Sequence, residues 1–224
     1  MSDMGKNAQK GKMENAIRAL EGLYAGHGTA LRFNSVFQLA VAVMLSAQCT
    51  DVRVNIVTKG LFAKYKTAKD FAALSQKKLE KLIFSTGFYR SKAKNIREMA
   101  KTVGEKFGGK MPCTMEKLTS LQGIGRKSAN VILSEGFGIS EGIAVDTHVR
   151  RLSGRLGFSK SADPKKIETD LMELCPKEKW HFLSNSLIWH GRRTCHAQKP
   201  DCKGCALAKL CPSADTFSKW QYYR

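Results

Sequence analysis

Leu121-Gln122-Gly123-Ile124-Gly125-Arg126-Lys127-Ser128-Ala129-Asn130 is the stretch from which the fold of this 224-residue chain is read. Two glycines one residue apart, with an apolar residue before them and a helix-forming run after, predict a tight turn that opens into a helix. Such a turn leaves backbone bare. A nucleic-acid phosphate has room to approach the N–H groups of Gly123 and Gly125, and the positive end of the following helix dipole attracts it. Arg126 adds charge to the same place. Lys127 falls in the first turn of that helix, where the dipole and Arg126 both disfavour a further positive charge, and a neutral amine is a nucleophile. Further on, Asp146 follows Ile143-Ala144-Val145 and precedes Thr147-His148-Val149, the position of a helix N-cap.

On either side of the hairpin the chain reads as helix after helix. Met13, Ala16, Ile17, Leu20 and Leu23 recur at three- and four-residue steps, the stripe of an amphipathic helix that ends near Gly26. Ser35 caps a helix predicted from Val36 to Gln48, whose middle, Leu39 to Leu45, is apolar on all sides and belongs at the centre of a core. Strand competes for that valine-rich run; its length and the lack of an alternating partner decide for helix. Thr50-Asp51 starts a helix over 52–65, and shorter ones follow over 68–74 and 76–84. Ala93, Ile96, Met99, Ala100, Val103 and Phe107 form a further amphipathic face closed by Gly108-Gly109. Residues 115–121 make the first helix of the hairpin motif. Asp146 begins a helix to Leu156, Asp163-Pro164 begins another, and 180–190 completes the set. With no strand pair and no repeat, the fold class is all-α.

Charge names the kind of partner. Lys and Arg number 38 against 19 acidic residues, a net +19, which points to a polyanion and foremost to nucleic acid. The longest apolar run, Leu39 to Leu45, is far short of the roughly 20 residues a bilayer needs, so no membrane partner is expected. Residues 1–12 are polar and lysine-bearing without an apolar segment; they read as a flexible basic arm, and an intracellular location follows. No phosphate-binding Gly-Lys-Ser/Thr loop, no His-Glu-x-x-His and no dense carboxylate cluster offers rival chemistry.

Of seven cysteines, Cys195, Cys202, Cys205 and Cys211 sit close together with six, two and five residues between them. Four thiolates in one compact loop suit a single polynuclear cluster, and zinc is the rival ligand. Zinc sites tend to pair two Cys-x-x-Cys knuckles, and this loop has one. Cys49, Cys113 and Cys175 read as small buried or half-buried residues, and His148 and His190 as hydrogen-bonding structural ones.

The hairpin stretch, the later Val145-Asp146-Thr147-His148-Val149 and the four-cysteine loop together resemble the endonuclease III family of DNA repair glycosylases. The resemblance covers nearly all of the chain after the arm. It implies two helical lobes, a six-helix lobe over 29–140 carrying the helix-hairpin-helix and a lobe of 13–28 plus 141–224 carrying an iron–sulfur cluster. DNA is then expected in the groove between lobes, with Lys127 and Asp146 on opposite sides. The loop would hold one [4Fe–4S] cluster through its four cysteines, with Arg192, Arg193, Lys199, Lys203 and Lys209 facing phosphates. Two stretches, Leu45-Ser46-Ala47-Gln48 and Gly87-Phe88-Tyr89, resemble the family's duplex-penetrating loops: Gln48 fills the space of an extruded base and Phe88 wedges between bases. The family carries leucine where Phe88 stands and proline where Gln122 stands. The implied activity is removal of oxidised pyrimidines from duplex DNA and cleavage 3′ to the abasic site by β-elimination through a Lys127 Schiff base. The implied partner is double-stranded DNA with damaged bases or abasic sites, and the implied state is monomeric. Two alternatives are a monofunctional mismatch or uracil glycosylase of this fold, which lacks a lysine at the position of Lys127, and a non-catalytic iron–sulfur DNA-binding protein.

Overall fold

The computed structural model describes residues 3–214 and 216, and every regular element among them is helical. In chain order the α-helices are α1 (Asp3–Tyr24), α2 (Val36–Leu45), α3 (Asp51–Lys64), α4 (Ala68–Ala73), α5 (Gln76–Ile83), α6 (Tyr89–Phe107), α7 (Met115–Thr119), α8 (Arg126–Phe137), α9 (Thr147–Arg155), α10 (Pro164–Leu174) and α11 (Trp180–Arg193). The chain divides into two compact units, Thr29–Glu141 and Met1–Gly28 with Gly142–Arg224.

The first unit is built around α2. Every residue from Phe37 to Leu45 is buried, as a helix apolar on all sides demands, since it has no face to give to water. Ser35 starts it by accepting from the Gln38 N–H at 3.2 Å, and the Gln38 side chain in turn accepts from Asn34 N–H at 2.9 Å. Helices α3, α6 and α8 pack on it. Phe71 of α4 is fully buried against Phe37 and Tyr65, with ring centroids 5.4 and 6.2 Å apart. Each such buried apolar side chain contributes about 1.5–3 kcal/mol. The helix α2 stops at Leu45, short of the predicted Gln48. Ser46 is its C-cap, and Gln48 takes a left-handed backbone, φ +51°, that no right-handed helix can include.

The second unit packs α1, α9, α10 and α11 around Met13, Ala16, Leu20, Val149, Leu152, Leu171 and Leu183, all essentially inaccessible to water. Here the expected flexible arm over residues 1–12 is corrected: from Asp3 onward those residues form the first turns of α1. Their polar side chains find partners that the sequence does not reveal. Lys12 Nζ donates to the Leu156 carbonyl, Gln9 Nε2 approaches the Gly157 carbonyl at 3.4 Å, and Lys6 lies 3.9 Å from Glu173. Pro164 occupies the first turn of α10 behind the Asp163 cap, where its missing N–H costs nothing.

Candidate active site and cysteine loop

The hairpin is pinned by the apolar residues that flank its glycines. Leu121 and Ile124 are buried, and the Ile124 N–H donates to the Leu121 carbonyl at 3.1 Å. Gly123 between them has φ +82°, and a Cβ placed there would stand 2.7 Å from Met44 Cε and 2.9 Å from Asn95 Cβ. Only glycine satisfies both demands. Gly125 is different. Its φ is −91°, a Cβ would meet nothing within 4 Å, and it is the N-cap of α8 without any side-chain hydrogen bond. The first turn of α8 holds no acidic residue, so its positive end is not neutralised from within. Gly123 is exposed yet leaves no room for a Cβ, whereas Gly125 opens onto free space. Arg126 and Lys127 are exposed at that helix start. Gln122 is exposed too, its Nε2 3.4 Å from Asn95 Oδ1.

Asp146, in the other unit, is the N-cap of α9, half-buried. Its Oδ1 accepts from both His148 N–H and Val149 N–H at 2.8 Å, so both cap bonds fall on one oxygen and Oδ2 accepts neither. The approach to it is fixed by burial of Ile143, Ala144 and Val145 and by Ser184 Oγ donating to the Ala144 carbonyl at 3.0 Å. Burial holds the His148 imidazole below its ordinary pKa; the Asp146 carboxylate opposes this, and Arg151 and Arg192 reinforce it.

Helix α9 is tied to the cysteine loop by two arginines that the sequence did not single out. Arg151 Nη2 donates to the carbonyls of Gly191 and Cys195 at 3.0 and 2.9 Å. Arg155 Nη1 donates to Cys195 Sγ at 3.2 Å and to the His196 carbonyl at 2.7 Å, and its Nη2 to the Ala197 carbonyl at 2.7 Å. Their spacing on one helix face was the available signal, but nothing in the sequence says what that face meets.

Cys195, Cys202, Cys205 and Cys211 line one small pocket that opens to solvent. Burial raises the thiols of Cys202, Cys205 and Cys211, and their neighbouring cysteines raise them further. A metal centre reverses that preference by binding the thiolate form. Four thiols around one space are a donor set suited to a thiolate-bound metal centre. His190 Nε2 lies 3.3 Å from Cys205 Sγ, and its other nitrogen 3.1 Å from the Tyr24 hydroxyl.

Gln48 and Phe88 share a property invisible in the sequence. They are the non-glycine residues with positive φ among those described, +51° and +47°. For a phenylalanine this is a costly backbone, on the order of 1–3 kcal/mol, that persists only where its surroundings enforce it. Both side chains are exposed, Phe88 by 63%, so Phe88 is no core aromatic.

Comparison with known proteins gives the class, a DNA base-excision repair protein. Residues 41–177 match the HhH-GPD superfamily of base excision DNA repair proteins. The chain is 48% identical over 207 residues to the endonuclease III of Synechocystis sp., which spans 92% of this chain and 94% of that one. It superposes with TM-score 0.89 and 40% identity on the protein of a non-covalent endonuclease III–DNA complex, covering 94% of this chain and 98% of the other. A trapped covalent endonuclease III–DNA intermediate gives TM-score 0.88, also at 40% identity, over 92% and 97%. The chain belongs to the endonuclease III family: it is a base-excision repair enzyme, a DNA glycosylase that is also an abasic-site lyase. Among the described residues no helix is long and apolar enough to cross a membrane.

Proposed function

We propose that this enzyme removes oxidised pyrimidines from duplex DNA and cleaves the strand 3′ to the resulting abasic site, with Lys127 as nucleophile and Asp146 as its electrostatic partner. The observation that carries the reading is Lys127 itself: an exposed lysine in the first turn of a helix with no capping side chain and no acid. Backbone N–H groups at such a start hold a phosphate, and the lysine is then beside the sugar. The neutral Nζ attacks C1′, and the glycosidic bond breaks with its electron pair leaving on the base, which takes up a proton. The attached amine loses its proton and the C1′–O4′ bond opens to a Schiff base. Loss of a proton from C2′ sends that electron pair toward the iminium and expels the 3′ phosphate. Asp146, with its free oxygen, stabilises the positive charge that develops at C1′. A monofunctional enzyme of this fold has no use for Lys127.

Gln48 and Phe88 enter the duplex, Gln48 into the space left by the extruded base and Phe88 between bases, where a stacking contact contributes about 1–3 kcal/mol. Cys195, Cys202, Cys205 and Cys211 would hold one [4Fe–4S] cluster, which supplies a rigid, closed ligand set for the loop. Arg192, Arg193, Lys199, Lys203 and Lys209 then meet phosphates. The enzyme acts as a monomer on double-stranded DNA carrying damaged bases or abasic sites, inside the cell.

The test is borohydride reduction. Wild-type protein mixed with a duplex bearing one oxidised pyrimidine forms a stable covalent adduct with DNA under borohydride, and Lys127→Ala neither traps nor excises while keeping its helix content. Trapping by Lys127→Ala at the wild-type rate means that another amine is the nucleophile. Excision by wild type without trapping or nicking means that the reading of a Schiff base is wrong.

A further inference from the structure

Lys92 is the one buried cation of the Thr29–Glu141 unit that neither a carboxylate nor the chemistry above accounts for. It lies in the second turn of α6, only 6% exposed. Its Nζ donates to the Leu45 carbonyl at 2.8 Å and to the Thr86 carbonyl at 2.8 Å. Burial lowers its pKa, with Cys49 nearby opposing. A lysine is not placed so at random, because desolvating an ammonium costs several kcal/mol unless its donors are matched.

What the two carbonyls belong to gives the position its meaning. Leu45 is the last residue of α2, where carbonyls lack intrahelical partners and the dipole favours a cation. Three residues later comes Gln48. Thr86 ends the short 3₁₀ turn Phe84–Thr86, and two residues later comes Phe88. The main chain of Lys92 takes part as well: its N–H donates to the Phe88 carbonyl at 3.0 Å, while Ser91 Oγ donates to the same oxygen at 3.0 Å. One residue therefore holds both segments that carry a left-handed, exposed side chain, and it holds each from its N-terminal side.

We infer that Lys92 is a positioning residue for base extrusion: its ammonium fixes the distance between the Gln48 and Phe88 loops so that both side chains meet the duplex together. The inference rests on the reading that Gln48 and Phe88 enter DNA, and it adds that the two insertions form one unit, set by a residue that touches no nucleotide. Two flexible loops would each have to be ordered on binding. A pair already joined through one buried amine presents a single preformed probe and loses less conformational freedom.

The experiment compares Lys92→Met, Gln48→Ala, Phe88→Ala and the combined variants for affinity to a duplex with a tetrahydrofuran abasic analogue and to the same duplex undamaged, alongside melting temperature. Losing two bonds from a charged donor weakens binding of the analogue duplex by about tenfold or more, with undamaged DNA bound as before. Adding Lys92→Met to the Gln48→Ala/Phe88→Ala pair then changes little, because the function it serves is already gone. Lys92→Gln, which keeps two donors, recovers part of the loss and serves as the probe if the Met variant does not fold. An equal loss for both duplexes that follows the fall in melting temperature would make Lys92 merely structural and overturn the inference. Full additivity with the loop variants would overturn it too. If Gln48→Ala and Phe88→Ala bind the analogue like wild type, the insertion reading itself fails, and the role of Lys92 with it.

Discussion

Two helices of this protein start in opposite ways. Helix α9 begins on Asp146, whose carboxylate takes two N–H groups and supplies its own negative charge to the positive end of the dipole. Helix α8 begins on Gly125, which supplies nothing. The difference shows one physical situation used twice. Where the anion is part of the chain, capping fixes a carboxylate in position and leaves its second oxygen to act. Where it is missing, the same partial charges wait for an anion from outside.

The largest test of that contrast is at the capped start. Asp146→Asn is expected to lower single-turnover excision by about 10²–10³-fold, the usual worth of one electrostatic group, while it keeps an oxygen for the cap. Asp146→Ala loses the same rate and about 1 kcal/mol of stability besides, seen as a lower urea midpoint. Excision near the wild-type rate in both variants would reduce α9 to an ordinary capped helix.

At the bare start the two glycines separate. Gly123→Ala forces a methyl against Met44 and Asn95 at a positive φ and is expected to cost about 2–3 kcal/mol. Gly125→Ala meets open space and changes stability by about 1 kcal/mol or less, the cost of a poorer N-cap, while affinity for DNA falls. Chemical denaturation of both variants settles whether interior and exterior demands divide between them in this way.

Acid sharpens the comparison from the side of α9. Burial keeps the folded-state pKa of His148 below that of the unfolded chain, so the unfolded state binds more protons as pH falls. Its contribution is complete above about pH 6.5 and is lost on acidification below that, not on making the solution alkaline. Urea midpoints at pH 7.5 and pH 5 are expected to differ, and His148→Gln narrows the gap. The smallest effect belongs to Arg126→Ala, which is expected to reduce the slope of log affinity against log salt by about 0.9, one phosphate contact, in equilibrium titrations of undamaged duplex.

The sequence carried the helices well because their burial is written in its periodicity. The all-apolar α2 and the stripes of α1 and α6 leave little choice of partner state. Helix ends were harder. Nothing local announces that Gln48 or Phe88 turns left-handed, since neither residue prefers it; tertiary contacts impose it. Residues 1–12 read as an arm because Gln9 and Lys12 look solvated until the carbonyls of Gly157 and Leu156 are seen beside them. Lys92 is one of 38 basic residues, and only burial distinguishes it. Arg151 and Arg155 were hidden for the same reason: their partners lie in a loop some forty residues away, as the Cys195 contacts show.

The start of α8 also bears on how the enzyme travels. A repair enzyme meets undamaged DNA far more often than a lesion, and it must let go of each phosphate quickly. On the proposed reading, backbone N–H groups at Gly125 would take a phosphate without any side chain to reorient and without a capping carboxylate to displace. Each step along the strand would then exchange one phosphate for an identical neighbour against an unchanged surface, which favours one-dimensional diffusion.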